Sequence, residues 1–505
     1  FEGLLKFYYP NFGIVADGSK INGGPMGEYS IEPSYLNVVV MNHRINDNVA
    51  GLIRHEVTKN SNSKNRYSVY TTYRKKYMEK VIIVNPDAKM DAKQFAYAPL
   101  GPLYIAAVLE RDGFECELWD LREDYNSYDN PPPGDIYCLT AVTPQIDDMK
   151  EVARNIKKKY GDKAYTILGG PHATWLPEDC IDHFDCVVQD EAEAIITKIC
   201  TDKPTGLQKG DRIVDLDTIP HPARHLLPDH RAASTDLWGG YNYESEVIGA
   251  TLMSSRGCPF ACAFCANLQQ KTRFRSAENI VEEVKLMIDK YGVKHFRFLD
   301  DNIIIDKKRF EKLAPMLHEL DIRFRCSISS VLLNDDYCEL LYHAGCREVG
   351  IGFESADDEV LSLINKAGKA TNNMHKTAVQ VIQKWGMKAK VYIITGLPGE
   401  TDKSIEATKK FVLDLKPDKW ICLLFTPYPG TPIFRNPNAF GVEILHKRFR
   451  EYVQSYPSNS HVNLFEKENG NLLATNKELE RRFEDLYHWL NKLNPESMEY
   501  SSFNG

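Results

Sequence analysis

Residues 254–265 read Ser-Ser-Arg-Gly-Cys-Pro-Phe-Ala-Cys-Ala-Phe-Cys and place Cys258, Cys262 and Cys265 at a C-x3-C-x2-C spacing. Four thiolates would close an iron–sulfur cluster or a structural zinc site. No fourth Cys or His stands nearby at a matching spacing. Three ligands on a cubane cluster leave one iron open, so the motif predicts a reactive metal site. A chance group of buried thiols, or a degraded zinc knuckle, is the alternative interpretation.

Strands and helices alternate along the chain from about residue 248. Residues 248–253 are predicted to form a strand that leads into the cysteine loop (residues 258–265), and Ser276 is predicted to cap a helix that runs through Tyr291. Further strands are predicted at 295–299, 322–328, 347–353, 389–395 and 420–425. Six strand–helix units over residues 248–435 predict a partial (β/α)6 TIM-like barrel, in which chemistry lies at the carboxyl ends of the strands.

A separate alternation of short apolar strands and helices occupies residues 81–205 and predicts a Rossmann-like, doubly wound parallel sheet. The fold class is therefore α/β. Residues 1–80 are predicted to be an N-terminal extension of unknown role, residues 206–247 a linker broken by prolines, and residues 436–505 a mostly helical C-terminal cap.

The composition is ordinary for a globular protein, with 505 residues, 43% hydrophobic and 26% charged. The net charge of −8 argues against nucleic acid as the main partner, because phosphate binding needs a basic face. No apolar run reaches the roughly 20 residues that a membrane span needs. The other nine of the 12 cysteines are scattered rather than arranged as a disulfide framework, which predicts a reducing, cytoplasmic location.

The cysteine motif resembles that of the radical S-adenosylmethionine (SAM) enzymes. In this family three Cys hold a [4Fe–4S] cluster, its fourth iron binds the amino and carboxylate groups of SAM, and an electron splits SAM to release a 5′-deoxyadenosyl radical. Three later segments resemble the family in the same order: Ala-Gly-Cys to Glu-Ser at 344–355, Gly-Leu-Pro-Gly-Glu-Thr at 396–401 and Pro-Tyr-Pro-Gly-Thr at 427–431. The resemblance covers roughly residues 248–435.

The resemblance implies a SAM site at the strand ends of the barrel. The implied SAM residues are Asp300, Asp301, Asn302, Glu354, Ser355, Gly396, Pro398 and Thr426. A carboxylate after the second strand would hold the SAM ammonium, although residues 300–302 are also typical of a helix N-cap. Many relatives carry an Arg where Ser329 stands, so a different charge is expected to line this pocket.

Residues 81–205 resemble the cobalamin-binding domain that precedes the barrel in one branch of the family. The resemblance rests on Pro-Leu-Gly at 99–101, Thr-Ala-Val-Thr-Pro at 140–144, Gly-Gly-Pro-His-Ala-Thr at 169–174 and Asp-Glu-Ala-Glu at 190–193. The implied cobalamin residues are Thr140, Thr143, Gly169, Gly170, His172 and Glu191. The chain has no D-x-H-x-x-G motif, so cobalamin is expected to bind without a protein His on cobalt. A Rossmann-like domain that has lost its cofactor is the alternative.

Together the two resemblances imply a cobalamin-dependent radical SAM methyltransferase. One SAM would methylate cob(I)alamin, and a second would yield the radical that abstracts hydrogen from an unactivated carbon, which then takes the methyl group from methylcobalamin. A radical cyclase or rearrangement enzyme without methyl transfer, and a non-catalytic metal-binding scaffold, stay open. An external electron donor such as flavodoxin or ferredoxin is implied. The catalytic residues and the substrate, a small molecule or a peptide, cannot be deduced from the sequence.

Overall fold

The computed structural model describes residues 79–87, 97–122, 125–233, 248–266, 271–368, 370–445, 448–455, 460–467 and 469–493, together with six short strands before residue 72. Those six strands pair as three antiparallel two-stranded sheets, β1 with β4, β2 with β3 and β5 with β6. They are β1 Gly13–Ala16, β2 Ile21–Gly23, β3 Tyr29–Ile31, β4 Val38–Met41, β5 His55–Lys59 and β6 Tyr67–Thr71. They belong to a separate structural unit, and the unknown role predicted for residues 1–80 stays a prediction.

The first large sheet has six strands in the order β12-β11-β10-β9-β7-β8, and the four pairings from β12 to β7 are parallel. Its strands are β7 Lys80–Asn85, β8 Glu115–Asp120, β9 Ile136–Thr140, β10 Tyr165–Gly169, β11 Cys186–Gln189 and β12 Gly206–Lys209. Its helices are α1 Leu100–Arg111, α2 Ile146–Tyr160, α3 Pro171–Trp175 and α4 Ile196–Asp202. The predicted Rossmann-like sheet is confirmed, with β12 lying inside the segment predicted as linker.

The central strands of this sheet are mostly apolar, as is typical of parallel strands that are buried on both faces. In β7, residues 81–85 are all buried. Helix α2 turns Met149, Val152 and Ile156 toward the core at helical spacing, and Gly161 ends the helix with φ of 62°.

The second large sheet has six parallel strands in the order β13-β16-β17-β18-β19-β20. These strands are β13 Gly249–Leu252, β16 His295–Phe298, β17 Arg323–Ile328, β18 Cys346–Glu354, β19 Lys388–Thr395 and β20 Lys419–Leu424. The helices from the linker onward are α5 Asp229–Ala232, α6 Ala277–Tyr291, α7 Lys307–Glu319, α8 Asp335–His343, α9 Asp358–Leu363, α10 Asn372–Lys384, α11 Asp402–Leu415 and α12 Pro432–Arg435. Parallel strands in chain order with helices between them confirm the predicted partial barrel.

The two ends of α6 are determined by capping residues next to the helix in the sequence. The Ser276 side chain accepts a hydrogen bond from the Asn279 backbone N–H, which confirms the predicted N-cap of α6. Gly292, in the left-handed conformation, ends the same helix. A short antiparallel hairpin of β14 Ser255–Arg256 and β15 Arg273–Phe274 flanks the cysteine loop.

The C-terminal cap contains a sheet that the sequence did not predict. Three antiparallel strands, β21 Val442–Ile444, β22 Val462–Phe465 and β23 Leu472–Ala474, precede the long helix α13 Asn476–Leu493. Strands of three or four residues are too short to show a clear period of two. None of the described helices combines the length and apolar character that a membrane span requires.

Candidate functional site

The cysteine loop connects the two strands of the β14–β15 hairpin. Cys258 and Cys262 are half-buried and Cys265 is exposed. The Asn302 side-chain N–H donates to Cys258 Sγ at 3.2 Å, and the Ala367 backbone N–H donates to Cys262 Sγ at 3.2 Å. Donors aimed at sulfur stabilise thiolate charge, as they do around iron–sulfur clusters. The three thiols therefore fit a cluster held on an accessible loop.

The polar residues after β16 hold this loop in place. The buried Asp300 carboxylate accepts hydrogen bonds from the Ser254 backbone N–H at 3.1 Å, the Ser254 hydroxyl at 2.7 Å and the Ser255 hydroxyl. The Asp300 carboxylate thus holds the residues that lead into the cysteine loop. Asn302 joins Cys258 to the end of β17, because its Oδ1 accepts from the Ser329 backbone N–H at 2.5 Å. Of the three candidates after β16, only Asp301 is exposed.

Glu354, the last residue of β18, has a strained backbone and a charged partner. Its φ is 63°, in the left-handed region that a non-glycine residue adopts at a cost of roughly 1–3 kcal/mol. Its Oε1 accepts a hydrogen bond from Lys366 Nζ at 2.6 Å, and both side chains are buried. The Ser355 hydroxyl accepts from the backbone N–H of Asp357 at 3.1 Å.

The ends of β19 and β20 supply the remaining SAM candidates. Gly396 has φ of 79°, and its N–H donates to Glu400 Oε1 at 2.9 Å. Burial raises the pKa of Glu400 to about 7, against the opposing effect of this hydrogen bond. Pro398 lies in the same buried turn, and the Thr426 hydroxyl donates to the Leu424 carbonyl at 3.4 Å. Because the six strands are parallel, all these ends share the sheet edge that carries the cysteine loop.

The end of β10 presents bare backbone in the first sheet. A Cβ on Gly169 would meet no atom within 4 Å, so this strand end faces open space. Gly170 has φ of 95°, and a Cβ there would lie 2.5 Å from Thr140 Oγ1, so only glycine fits against β9. An open, side-chain-free strand end fits the close approach of a flat corrin or its nucleotide tail.

His172 and Thr143 form a hydrogen bond with each other, and both side chains are buried. The His172 ring is fully buried, with Nδ1 3.3 Å from Thr143 Oγ1 and Nε2 3.0 Å from Asp179 Oδ2. Lys150 also donates to Asp179, at 2.8 Å. The ring packs edge-on against Phe449 of the cap, with centroids 5.0 Å apart. Both ring nitrogens of His172 have hydrogen-bond partners inside the protein.

Glu191 is directed toward the barrel. Its carboxylate accepts two hydrogen bonds from Arg273, at 2.5 and 2.8 Å, and lies 3.4 Å from Arg256 Nη1. Glu193 accepts from Arg256 Nη2 at 2.6 Å. We call these four residues the inter-domain ion cluster. Arg256 stands two residues before Cys258, so the predicted cobalamin-binding segment 190–193 is ion-paired to the base of the cysteine loop.

Three site residues were not anticipated from sequence: Lys366, Arg256 and Arg273. Arg256 lies within the quoted motif, and the acidic segment 190–193 was noted, but nothing in either pattern pairs them. Lys366 lies in an unremarkable stretch after α9. The basic residue Arg256 within the motif was the one feature of the sequence that could have indicated an ion pair near the cysteines.

Comparison with known proteins identifies both domains. Residues 252–412 match the family model of the Radical SAM superfamily, and residues 93–199 match that of the B12 binding domain. The chain is 30% identical over 417 residues to an uncharacterized methyltransferase of Pyrococcus horikoshii, covering 75% of this chain and 87% of that protein. It is 25% identical over 373 residues to the bacteriochlorophyllide d C-12(1)-methyltransferase of Chlorobaculum tepidum, covering 71% of this chain and 78% of that protein.

One further relative has another activity. The anaerobic magnesium-protoporphyrin IX monomethyl ester cyclase of Rubrivivax gelatinosus is 24% identical over 389 residues, covering 70% of this chain and 69% of the cyclase. Among solved structures, the radical SAM methyltransferase TsrM of Kitasatospora setae, with tryptophan and a SAM analog bound, aligns with a TM-score of 0.60 at 16% identity, covering 85% of this chain and 92% of that one. At 16% sequence identity, this similarity shows a shared fold. The chain belongs to the cobalamin-dependent radical SAM enzymes, whose cofactors are a [4Fe–4S] cluster, SAM and cobalamin.

Proposed function

We propose that this protein is a methyltransferase that transfers a methyl group to an unactivated carbon of a small molecule or peptide. The observation that carries the proposal is the inter-domain ion cluster. It joins the segment 190–193 of the B12-binding domain to the base of the cysteine loop, so buried charges hold together the two segments that we predict to bind cobalamin and the cluster. A methyl donor and a radical source must face one substrate, and such an arrangement suits that transfer.

Each cofactor supplies a distinct part of the chemistry when bound: the cluster and SAM supply the radical, and cobalamin supplies the methyl group. The protein's own residues position them. Asp300 fixes the start of the cysteine loop, and Asn302 and Ala367 donate to its thiols. The open strand end at Gly169 and the buried imidazole of His172 suit a corrin whose cobalt receives no ligand from that residue.

The proposal also includes the domain boundaries, the electron donor and the cellular location of the enzyme. We assign residues 1–80 to the extension, 81–205 to the cobalamin domain, 206–247 to the linker, 248–435 to the barrel and 436–505 to the cap. The linker begins with β12, which pairs with β11 of the first sheet. An external one-electron donor such as flavodoxin or ferredoxin reduces the cluster, and the enzyme works in the cytoplasm.

A radical cyclisation or rearrangement without methyl transfer is the second candidate. The similarity to the magnesium-protoporphyrin IX monomethyl ester cyclase favours it, since that relative covers nearly the same share of the chain as the methyltransferases. The non-catalytic scaffold is the least favoured reading, because the thiols, the strand ends and the family membership all agree with a working radical SAM site.

The test uses the full chain, reconstituted anaerobically with iron, sulfide and cobalamin, reduced, and incubated with SAM alone. We expect both S-adenosylhomocysteine and 5′-deoxyadenosine, with 5′-deoxyadenosine lost in Cys262→Ala. Formation of 5′-deoxyadenosine without S-adenosylhomocysteine would overturn methyl transfer in favour of the cyclase or rearrangement. Absence of both products, with iron bound, would support the scaffold.

A further inference from the structure

The lumen of the partial barrel is lined by charged side chains from four of its strands. In β18, Val349 and Ile351 belong to the apolar core against the helices, so the alternate residues Glu348 and Gly350 face the lumen. The register of the parallel strands aligns four cationic residues with these two positions: Arg297 of β16, Arg325 of β17, Lys390 of β19 and Lys419 of β20. We call these four residues the lumen cations.

One carboxylate lies among the lumen cations in the part of the barrel that the structure describes. Glu348 is buried, its Oε2 accepts a hydrogen bond from Lys419 Nζ at 2.6 Å, and its Oε1 lies 3.8 Å from Arg325 Nη1. Lys390 Nζ lies 5.3 Å from the ring centroid of Tyr392. Every lumen cation contacts other groups of the protein, but among the described residues four cationic side chains surround one carboxylate. Such an excess of desolvated charge costs free energy until an anion joins it.

The surroundings of Lys390 disfavour its positive charge. Lys390, Arg325 and Lys419 are all nearly fully buried. Burial lowers the pKa of Lys390, and the charges of Arg325 and Arg297 add to this effect, against the attraction of Glu348. A bound anion acts in the opposite direction, because it favours the charged form of a neighbouring lysine. Anion binding is therefore expected to draw a proton onto Lys390, which makes the affinity of the site depend on pH.

The lumen cations can be reached from the side of the barrel that carries the chemistry. Arg297 is half-buried, and its guanidinium lies 4.8 Å from the ring centroid of Tyr97. Tyr97 precedes α1, in the connection that leaves the carboxyl end of β7, and cobalamin is predicted to bind at this edge of the first sheet. Two residues nearer the strand ends than the lumen cations, Ser327, Tyr392 and Ile421 are half-buried, so solvent reaches this part of the lumen.

We propose that the lumen cations bind an anionic group of the substrate, a carboxylate or a phosphate, and that the enzyme therefore selects an anionic substrate. Two guanidiniums donate in pairs to the oxygens of such a group, and two ammonium groups add single donors. Glu348 holds Lys419 and Arg325 in place and offsets part of the charge in the absence of substrate. The inference rests on the proposed function and names the charge of its substrate, whether the reaction is a methyl transfer or a cyclisation.

The experiment measures two quantities on the reconstituted full chain: the melting temperature without ligand, and the dissociation constant of sulfate, by titration calorimetry at constant ionic strength. Lys390→Met removes one buried cation, so we expect a higher melting temperature, because fewer like charges then repel each other. Losing one charge-assisted hydrogen bond should weaken sulfate binding about ten- to a hundredfold in this variant. Glu348→Gln should tighten sulfate binding, because the competing carboxylate is gone. The native protein should bind sulfate more tightly at pH 6 than at pH 8, and Lys390→Met should reduce this difference.

The surface variant Lys410→Met is the matched control, since this lysine is exposed on α11, and it should change neither quantity. A native protein that binds no sulfate would overturn the proposal, as would a Lys390→Met protein with a lower melting temperature and unchanged sulfate affinity. If Lys390→Met does not fold, Glu348→Gln decides: a sulfate affinity that does not increase would assign these charges a purely structural role. Neither measurement needs turnover, so a failure of methyl transfer does not affect this test. A failure here leaves methyl transfer to an uncharged substrate standing.

Discussion

The strand ends of the two large sheets both carry polar residues, but those residues are used in different ways. In the barrel they hold one short loop and the segment next to it: Asp300 binds the start of the loop, Asn302 binds Cys258, and Glu354 binds Lys366 in the neighbouring segment. In the first sheet they are bound to each other, as His172 is to Thr143, or to the barrel, as Glu191 is to Arg273.

This difference explains why one site is easier to deduce than the other. The three cysteines lie within eight residues of one loop. The strand ends around that loop are polar because their side chains hold it in place. The predicted cobalamin site offers open backbone instead, and the side chains around it make structural contacts that a sequence motif does not separate from binding. A binding site formed by backbone is identified by its glycines and by the open volume next to them. That volume is visible only in the tertiary structure.

The largest expected effect is on the cluster itself. Cys262→Ala removes a ligand that also receives the Ala367 N–H, and we expect the reconstituted protein to lose the roughly four irons that one cubane requires, with its visible absorbance. Iron analysis and absorbance measure this. Cys338→Ala is the control, because Cys338 is buried in α8 outside the loop, and should keep its iron. A fully loaded Cys262→Ala protein would show that the barrel site has other ligands.

The next effect tests the link between the two regions. Glu191→Ala takes the shared carboxylate from between the guanidiniums of Arg256 and Arg273, and breaking such a buried pair costs about 3–5 kcal/mol. We expect a clearly lower melting temperature by calorimetry. Glu406→Ala, which removes an exposed partner of Lys409, should cost less than about 1 kcal/mol. Weaker cobalamin binding at an unchanged melting temperature would instead place Glu191 in the corrin site.

A smaller effect, visible only as a pH dependence, is expected at the end of β19. Burial raises the pKa of Glu400 from 4.5 to about 7, so the folded state prefers the neutral carboxyl. This contribution to stability is present below about pH 4.5 and is lost as the pH rises through about 7. Glu400→Gln keeps an acceptor for the Gly396 N–H and stays neutral. Its melting temperature should match the native protein at pH 5 and exceed it at pH 8.

The control for this pH profile is Glu406→Gln, an exposed carboxylate on α11, which should leave the difference between pH 5 and pH 8 as it is in the native protein. Equal melting temperatures of native protein and Glu400→Gln at both pH values would contradict a neutral Glu400. They would indicate that the positive charge of Arg482, which acts to lower the pKa of Glu400, compensates a charged carboxylate.

The smallest expected effect concerns the visible spectrum of bound cobalamin. His172→Asn breaks at least one of two hydrogen bonds of a buried ring, so stability should fall by about 1–2 kcal/mol. The absorbance of cobalamin should not change, because both ring nitrogens are engaged within the protein. A spectral shift that reports a lost axial ligand would overturn this view of the first sheet and make the two sites more alike.

Much of the barrel could be predicted because its signals are local. Ser276 caps α6 through the residue three positions on, and the strands are recognised by runs of apolar residues. The cap sheet could not be predicted, since β21 and β23 acquire their structure only by pairing with β22. Nor could the role of Asp300, because the same residue type after a strand also serves as a helix cap or as a ligand of an ammonium group.

By itself, the sequence determined the alternation of strands and helices in the two large sheets and the family, and it predicted the three cluster cysteines, because each depends on residues close together along the chain. Tertiary structure alone decided that Glu191 meets Arg273, 82 residues away, and that Lys366 lies beside Cys262. Charge pairing over such separations depends on how strands and loops are packed. No local pattern encodes it, because any exposed Lys or Glu has the same appearance in the sequence until folding buries it.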